Sequence, residues 1–118
     1  MQQALQISLR GLQPSPAIEA RIRELATRLS RFADQITSCH VTLQAPHRHH
    51  QQGQRYEVRI RIGVPRAELV VTRQGSHDPA HEDAYVAIRD AFEAAARQLD
   101  ERARRRERFT LLKGGAAE

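Results

Sequence analysis

The chain has 118 residues, with 19 Lys and Arg against 14 Asp and Glu, a formal charge of +5 and a pI near 10.6. With 40% hydrophobic and 28% charged residues it reads as one soluble globular domain, neither disordered nor membrane-spanning. The longest apolar run, Ala84–Ile88, is far too short for a transmembrane helix or a signal-peptide core, and the single Cys39 allows no internal disulfide, which fits a reducing cytoplasm.

Leu5, Ile7 and Leu9 alternate with Gln6, Ser8 and Arg10, the pattern of a half-buried strand. Ser15-Pro16 reads as an N-cap followed by proline at the first helical position. Ile18, Ile22, Leu25, Leu29 and Phe32 then share one helical face, which predicts a helix over 16–33. A second strand is expected over Ile36–Leu43, with Cys39, Val41 and Leu43 pointing one way and His40 and Thr42 the other. A third, over Arg55–Ile62, has the clearest alternation: Tyr56, Val58, Ile60 and Ile62 against Glu57, Arg59 and Arg61. Gly63 to Arg66 reads as a turn, and Ala67–Arg73 as the fourth strand. A second cap-and-proline pair, Asp78-Pro79, opens the last helix. Tyr85, Ile88, Phe92, Ala95 and Leu99 form its apolar stripe, and the pattern runs to about Arg106.

The order β-α-β-β-β-α predicts an α+β two-layer sandwich: a four-stranded mixed sheet with two helices on one face. Strands one and two, joined through a helix, should be parallel with a right-handed crossover, and the rest an antiparallel meander. The other sheet face, with Ser8, Arg10, Thr42, Arg59, Arg61 and Thr72, should meet water or a partner. A helix of twenty-odd residues spans roughly 30–40 Å, against about 23 Å for a seven-residue strand, so its end should overhang the sheet.

The charge is concentrated on that end. Arg97, Arg102, Arg104, Arg105, Arg106 and Arg108 outnumber Asp100, Glu101 and Glu107 by three. One account is a solvated helix, because Arg89, Glu93, Arg97, Glu101 and Arg105 alternate in sign at i,i+4 spacing. It accounts less well for the excess at Arg102, Arg104, Arg106 and Arg108, which points to a phosphate-binding surface. Eighteen of the nineteen cations are Arg, the side chain suited to forked recognition of phosphate. The outward strand positions carry no aromatic residue, which weighs against a base-stacking single-strand reader and for backbone and shape recognition of structured RNA.

His47, His49 and His50 flank Arg48 in the polar segment 45–54, with His77 and His81 some thirty residues on. Imidazole ligates zinc or nickel, but the spacing matches no closed site and Arg48 would repel a cation; contacts to phosphate or a partner are the better reading, and no metal or cofactor is expected. Nothing supports catalysis. No phosphate-cradling glycine loop or nucleophile elbow is present, and Cys39 and His40 sit on opposite faces of one strand.

The stretches Gln6–Leu9, Pro14–Glu24, Ser38–Val41, Ala45–His50 and above all His81–Leu99 (His-Glu-Asp-Ala-Tyr-Val-Ala-Ile-Arg-Asp-Ala-Phe-Glu-Ala-Ala-Ala-Arg-Gln-Leu) resemble the ribosome hibernation-promoting factor and ribosome-associated translation inhibitor family, over about residues 4–106. The resemblance implies a non-enzymatic, cytoplasmic, monomeric factor that binds small-subunit rRNA near the decoding region and occludes the mRNA and tRNA channel. Residues 1–108 would form the ribosome-binding domain and 109–118 a short C-terminal tail, without the dimerising domain of long members. By position it implies basic contacts at Arg28, Arg97, Arg102 and Arg105. Arg89 stands where many members have an acid, and Ala94 where many have Lys. Adding the charge reading, the candidate RNA-binding set is Arg28, Arg31, Arg89, Arg97, Arg102, Arg104, Arg105 and Arg106, with His47, Arg48, His49 and His50 as further candidate contacts to RNA or a partner. A metal- or partner-sensing module built on the His-rich segment is the alternative.

Overall fold

The computed structural model describes residues 5–32, 34–45, 56–74 and 81–117, with α-helical side chains in the last stretch described over 84–108. The elements are β1 (Leu5–Arg10), α1 (Pro16–Arg28), β2 (Ser38–Gln44), β3 (Glu57–Val64), β4 (Ala67–Gln74) and α2 (His81–Ala117). The sheet runs β1-β2-β3-β4. β1 and β2 are parallel, while β2–β3 and β3–β4 are antiparallel. This is the expected β-α-β-β-β-α mixed-sheet sandwich.

Period-two alternation decides which sheet face is buried. Cys39, Val41 and Leu43 of β2, Val58, Ile60, Ile62 and Val64 of β3 and Val71 of β4 all turn inward and are buried. They meet Ile18, Ile22, Leu25 and Leu29 from the α1 side and Ile88, Phe92, Ala95 and Leu99 from α2 in one core. Ser15 caps α1 as expected, its Oγ accepting from the Ile18 backbone N–H at 3.3 Å, with Pro16 at the first helical position. The α-helix gives way at Leu29–Phe32 to a 3₁₀ turn, which tightens the exit toward β2 while keeping Leu29 and Phe32 buried.

β2 and β3 each begin two residues later than expected, at Ser38 and Glu57, and two other boundaries differ in ways that bear on the structure. Gly63 lies inside β3 rather than in the turn: a Cβ there would come within 2.5 Å of Ser38 Oγ and 2.6 Å of Thr37 Oγ1, so the glycine permits a close approach. The β3–β4 turn is therefore only Pro65-Arg66, since Val64 pairs with Ala67. Arg66 takes φ of 67°, and proline followed by a left-handed residue is the pattern of a type II turn. The second difference is α2, which continues to Ala117 instead of ending near Arg106. The apolar stripe stops at Leu99, but 100–113 contains neither proline nor glycine to break the helix. The predicted Asp78-Pro79 start lies outside the described residues.

Candidate nucleic-acid interface

Between Ala84 and Leu99, α2 turns Ala84, Ala87, Ile88, Ala91, Phe92, Ala95 and Leu99 to the core. The helical period leaves Arg89, Glu93 and Arg97 on the exposed side. α1 does the same with Arg28, and the 3₁₀ turn with Arg31. The two elements meet along a groove of about 430 Å³ whose floor is Leu25, Leu29, Phe92 and Ala96 and whose rim is Arg28, Arg31, Arg89 and Glu93. Two candidate arginines from the end of the first helix and one from α2, some sixty residues on, thus gather at one groove. The Arg31 guanidinium lies 4.8 Å from the Phe32 ring centroid, a cation–π contact that orients it. Arg28 pairs with Glu24 at 3.2 Å and Arg89 with Asp90 at 3.1 Å. All four side chains are well exposed, and such pairs are worth little and exchange readily for another anion.

The end of α2 divides its arginines by role. Arg104 pairs with Asp100 and Arg105 with Glu101, both at 3.1 Å. Of the sign-alternating series, only this Glu101–Arg105 rung is formed, because Arg89 turns to Asp90 instead of Glu93. Arg97, Arg106 and Arg108 are exposed and make no ion pair among the described residues. Arg104 and Arg106 border a second cleft, of about 730 Å³, with Asp34, Asp100 and Glu107 as its acids.

Arg102 departs from the expected free, exposed arginine. It is half-buried, and its Nη2 donates to the Pro65 carbonyl oxygen at 3.0 Å. The side chain is turned toward the β3–β4 turn, and its buried Nε has no partner. Helical position alone suggested an outward side chain; the neighbouring hairpin, 37 residues earlier, captures it. His47, Arg48, His49 and His50 lie outside the described residues, as do His77 and the His81 side chain.

Cys39 is fully packed, and burial pushes its thiol up from 9.0 to about 11, leaving no thiolate at neutral pH to act as a nucleophile. His40 points the other way and pairs with Ser8, His40 Nε2 lying 2.9 Å from Ser8 Oγ. Among the described residues no group of three or more His, Cys, Asp or Glu is placed to hold a metal ion, and no helix is long and apolar enough to cross a membrane. Arg10, Arg59 and Arg61 lie on the open sheet face expected to meet water or a partner, and there they gather with His40 around a depression that the sequence did not reveal. The alternation in β3 and β1 signalled the face but not the cluster.

Residues 5–107 match the family described as Sigma 54 modulation protein / S30EA ribosomal protein. The chain belongs to this family. Its members are ribosome-associated factors, in agreement with the resemblance drawn from the residues. Among the solved structures that share the fold are these two. A ribosomal subunit interface protein from Coxiella burnetii superposes with a TM-score of 0.66 at 16% identity, covering 84% of this chain and 96% of that one. The N-terminal domain of Protein Y from Thermus thermophilus gives 0.63 at 21% identity, covering 81% and 93%. No curated protein sequence matches the chain.

Proposed function

We propose that this protein is a translation inhibitor that binds rRNA of the small ribosomal subunit and occludes the mRNA and tRNA channel, acting as a cytoplasmic monomer during stress. The observation that carries the reading is the gathering of Arg28, Arg31 and Arg89 at one interhelical groove, with Arg97 and Arg106, which make no ion pair among the described residues, further along α2. A guanidinium cluster supplied by two helices suits the phosphates of a folded RNA, because forked donors bind phosphate oxygens in pairs. The family and the subunit-interface name of a structural neighbour support a ribosomal partner. Residues 1–108 are taken as the ribosome-binding unit. Arg104 and Arg105 are assigned a secondary part, since they lie beyond the groove and each is already paired within the helix, and Arg102 is assigned to holding the hairpin.

Sedimentation with purified small subunits tests the proposal. The protein should co-sediment at low salt and should inhibit translation of a reporter message in a reconstituted system. A protein that stays at the top of the gradient at low salt sinks the proposal.

A further inference from the structure

The open face of the sheet is the second place where arginines gather, and the groove on the helices makes no use of it. The register sets His40 beside Arg61 and Thr42 beside Arg59, with Arg10 beside Gln44 on the other flank. These side chains surround a shallow depression of about 190 Å³, with Glu57 as its one acid. Arg61 is held by Glu68 at 3.2 Å. Arg10 and Arg59 are exposed and make no ion pair among the described residues.

The spacing and chemistry narrow what such a surface can hold. Arg59 and Arg61, two residues apart on one strand, are separated by roughly 7 Å, and Arg10, two strands away and level with Glu57, stands roughly 12 Å from Arg59. Cations spread so widely suit successive phosphates of a chain better than a single small anion. Ser8 and Thr42 add hydroxyl donors beside them, and hydroxyls and guanidiniums are the usual phosphate partners. Among the described residues the open face has no Phe, Tyr or Trp on which a base could stack, and its one imidazole, His40, is engaged with Ser8, so the surface is suited to RNA backbone and not to unstacked bases.

We infer that the open sheet face is a second RNA-backbone contact, so that the protein bridges two rRNA segments, one held by the helices and one by the sheet. The hydrophobic core separates the two surfaces, and one strand of RNA cannot satisfy both faces at once without wrapping the domain. This inference rests on the proposed ribosomal role, and its test separates the two.

The experiment compares the wild-type protein with the pairs Arg10→Gln/Arg59→Gln on the sheet and Arg97→Gln/Arg106→Gln on α2. Affinity for purified small subunits is measured against salt, with hydroxyl-radical protection of the rRNA. The sheet pair should keep the wild-type melting curve and flatten the log–log salt slope by about 1.4–1.8. It should lose protections at one rRNA segment while keeping those that the α2 pair loses. Arg10→Lys/Arg59→Lys, which retains the charge, should keep most of the slope. A sheet pair with wild-type slope and full footprint overturns the inference, as does loss of the same protections by both pairs. A crosslink from position 59 to a ribosomal protein, with no rRNA protection lost, also overturns it. Wild-type protein that does not bind at all sinks the proposed function and the inference together.

Discussion

The Arg102 guanidinium reaches from α2 to the β3–β4 turn, where Nη2 donates to the Pro65 carbonyl oxygen. A side chain committed in this way is a tether between helix and hairpin, and its charge is less free to meet a phosphate than that of Arg106 one turn on. Arg102→Gln should therefore lower unfolding stability by about 0.5–1.5 kcal/mol in urea titrations, while leaving the salt slope of ribosome binding unchanged. A flattened slope with unaltered stability would reverse the assignment. Gly63 is a second residue whose role depends on a distant segment. Because Thr37 and Ser38 press against it and the Thr37 backbone N–H donates to its carbonyl at 2.8 Å, Gly63→Ala should cost about 1–3 kcal/mol, the usual penalty of overpacking. Cys39 gives a pH signature. Its folded-state pKa of about 11 lies above the ordinary 9.0, so between those values the unfolded chain loses a proton that the folded protein retains. Stability from this group is fully present below pH 9 and is lost as pH rises toward 11, by about 2–3 kcal/mol in all. Urea titrations from pH 8 to 10.5 should show the decline in wild type and a shallower one in Cys39→Val. Equal declines would mean that other groups cause it.

α2 is two helices in energetic terms. Up to Leu99 it is anchored by side chains sunk in the core. Beyond that point its exposed arginines and acids leave it to the Arg102–Pro65 hydrogen bond, to helical propensity and to the Asp100–Arg104 and Glu101–Arg105 pairs, each pair worth only a few tenths of a kcal/mol. Leu99→Ala should cost about 2–5 kcal/mol, whereas Gln98→Ala, on the exposed side, should change stability by less than about 0.5 kcal/mol. Similar losses at both positions would show that the helix is not seated as described. The same division explains what could be read from the sequence. The buried part of each element announces itself by period: Val58, Ile60 and Ile62 in β3, or Ile88, Phe92 and Leu99 in α2, can satisfy only one geometry. The fold followed from these repeats. Side chains on the exposed faces obey no such rule. Arg89 has Asp90 and Glu93 both in reach and turns to Asp90, and Arg102 chooses a carbonyl from another element. Those choices depend on rotamers and on neighbours set by the tertiary fold, so composition and spacing could locate the cationic elements but not sort their arginines. Arg10 and Arg59 were legible as outward residues, yet their clustering required the register across three strands.

For the whole molecule, the decisive quantity is how binding responds to salt. Arg28, Arg31 and Arg89 at the groove, with Arg97 and Arg106 along α2, supply five cations on the helical side. Arg28 and Arg89 must give up exposed carboxylate partners to bind phosphate, at a cost of no more than about 1 kcal/mol each. Each contact with RNA releases condensed counterions, contributing roughly 0.7–0.9 to the log–log slope, so five contacts give a slope of about 3.5–4.5. Raising monovalent salt fourfold, from about 50 to about 200 mM, should then weaken binding to small subunits by about 100- to 500-fold. Two further contacts from the sheet would steepen the slope to about 5–6. The groove floor of Leu25, Leu29 and Phe92 defines the opposite case. Docking of that apolar strip onto a ribosomal protein would bury hydrophobic surface and release few ions, and its affinity would hold nearly constant over the same range. Pelleting with small subunits across the salt series separates the two outcomes. A flat response would show that the arginines are solvated bystanders and that the groove, not its charged rim, carries the binding.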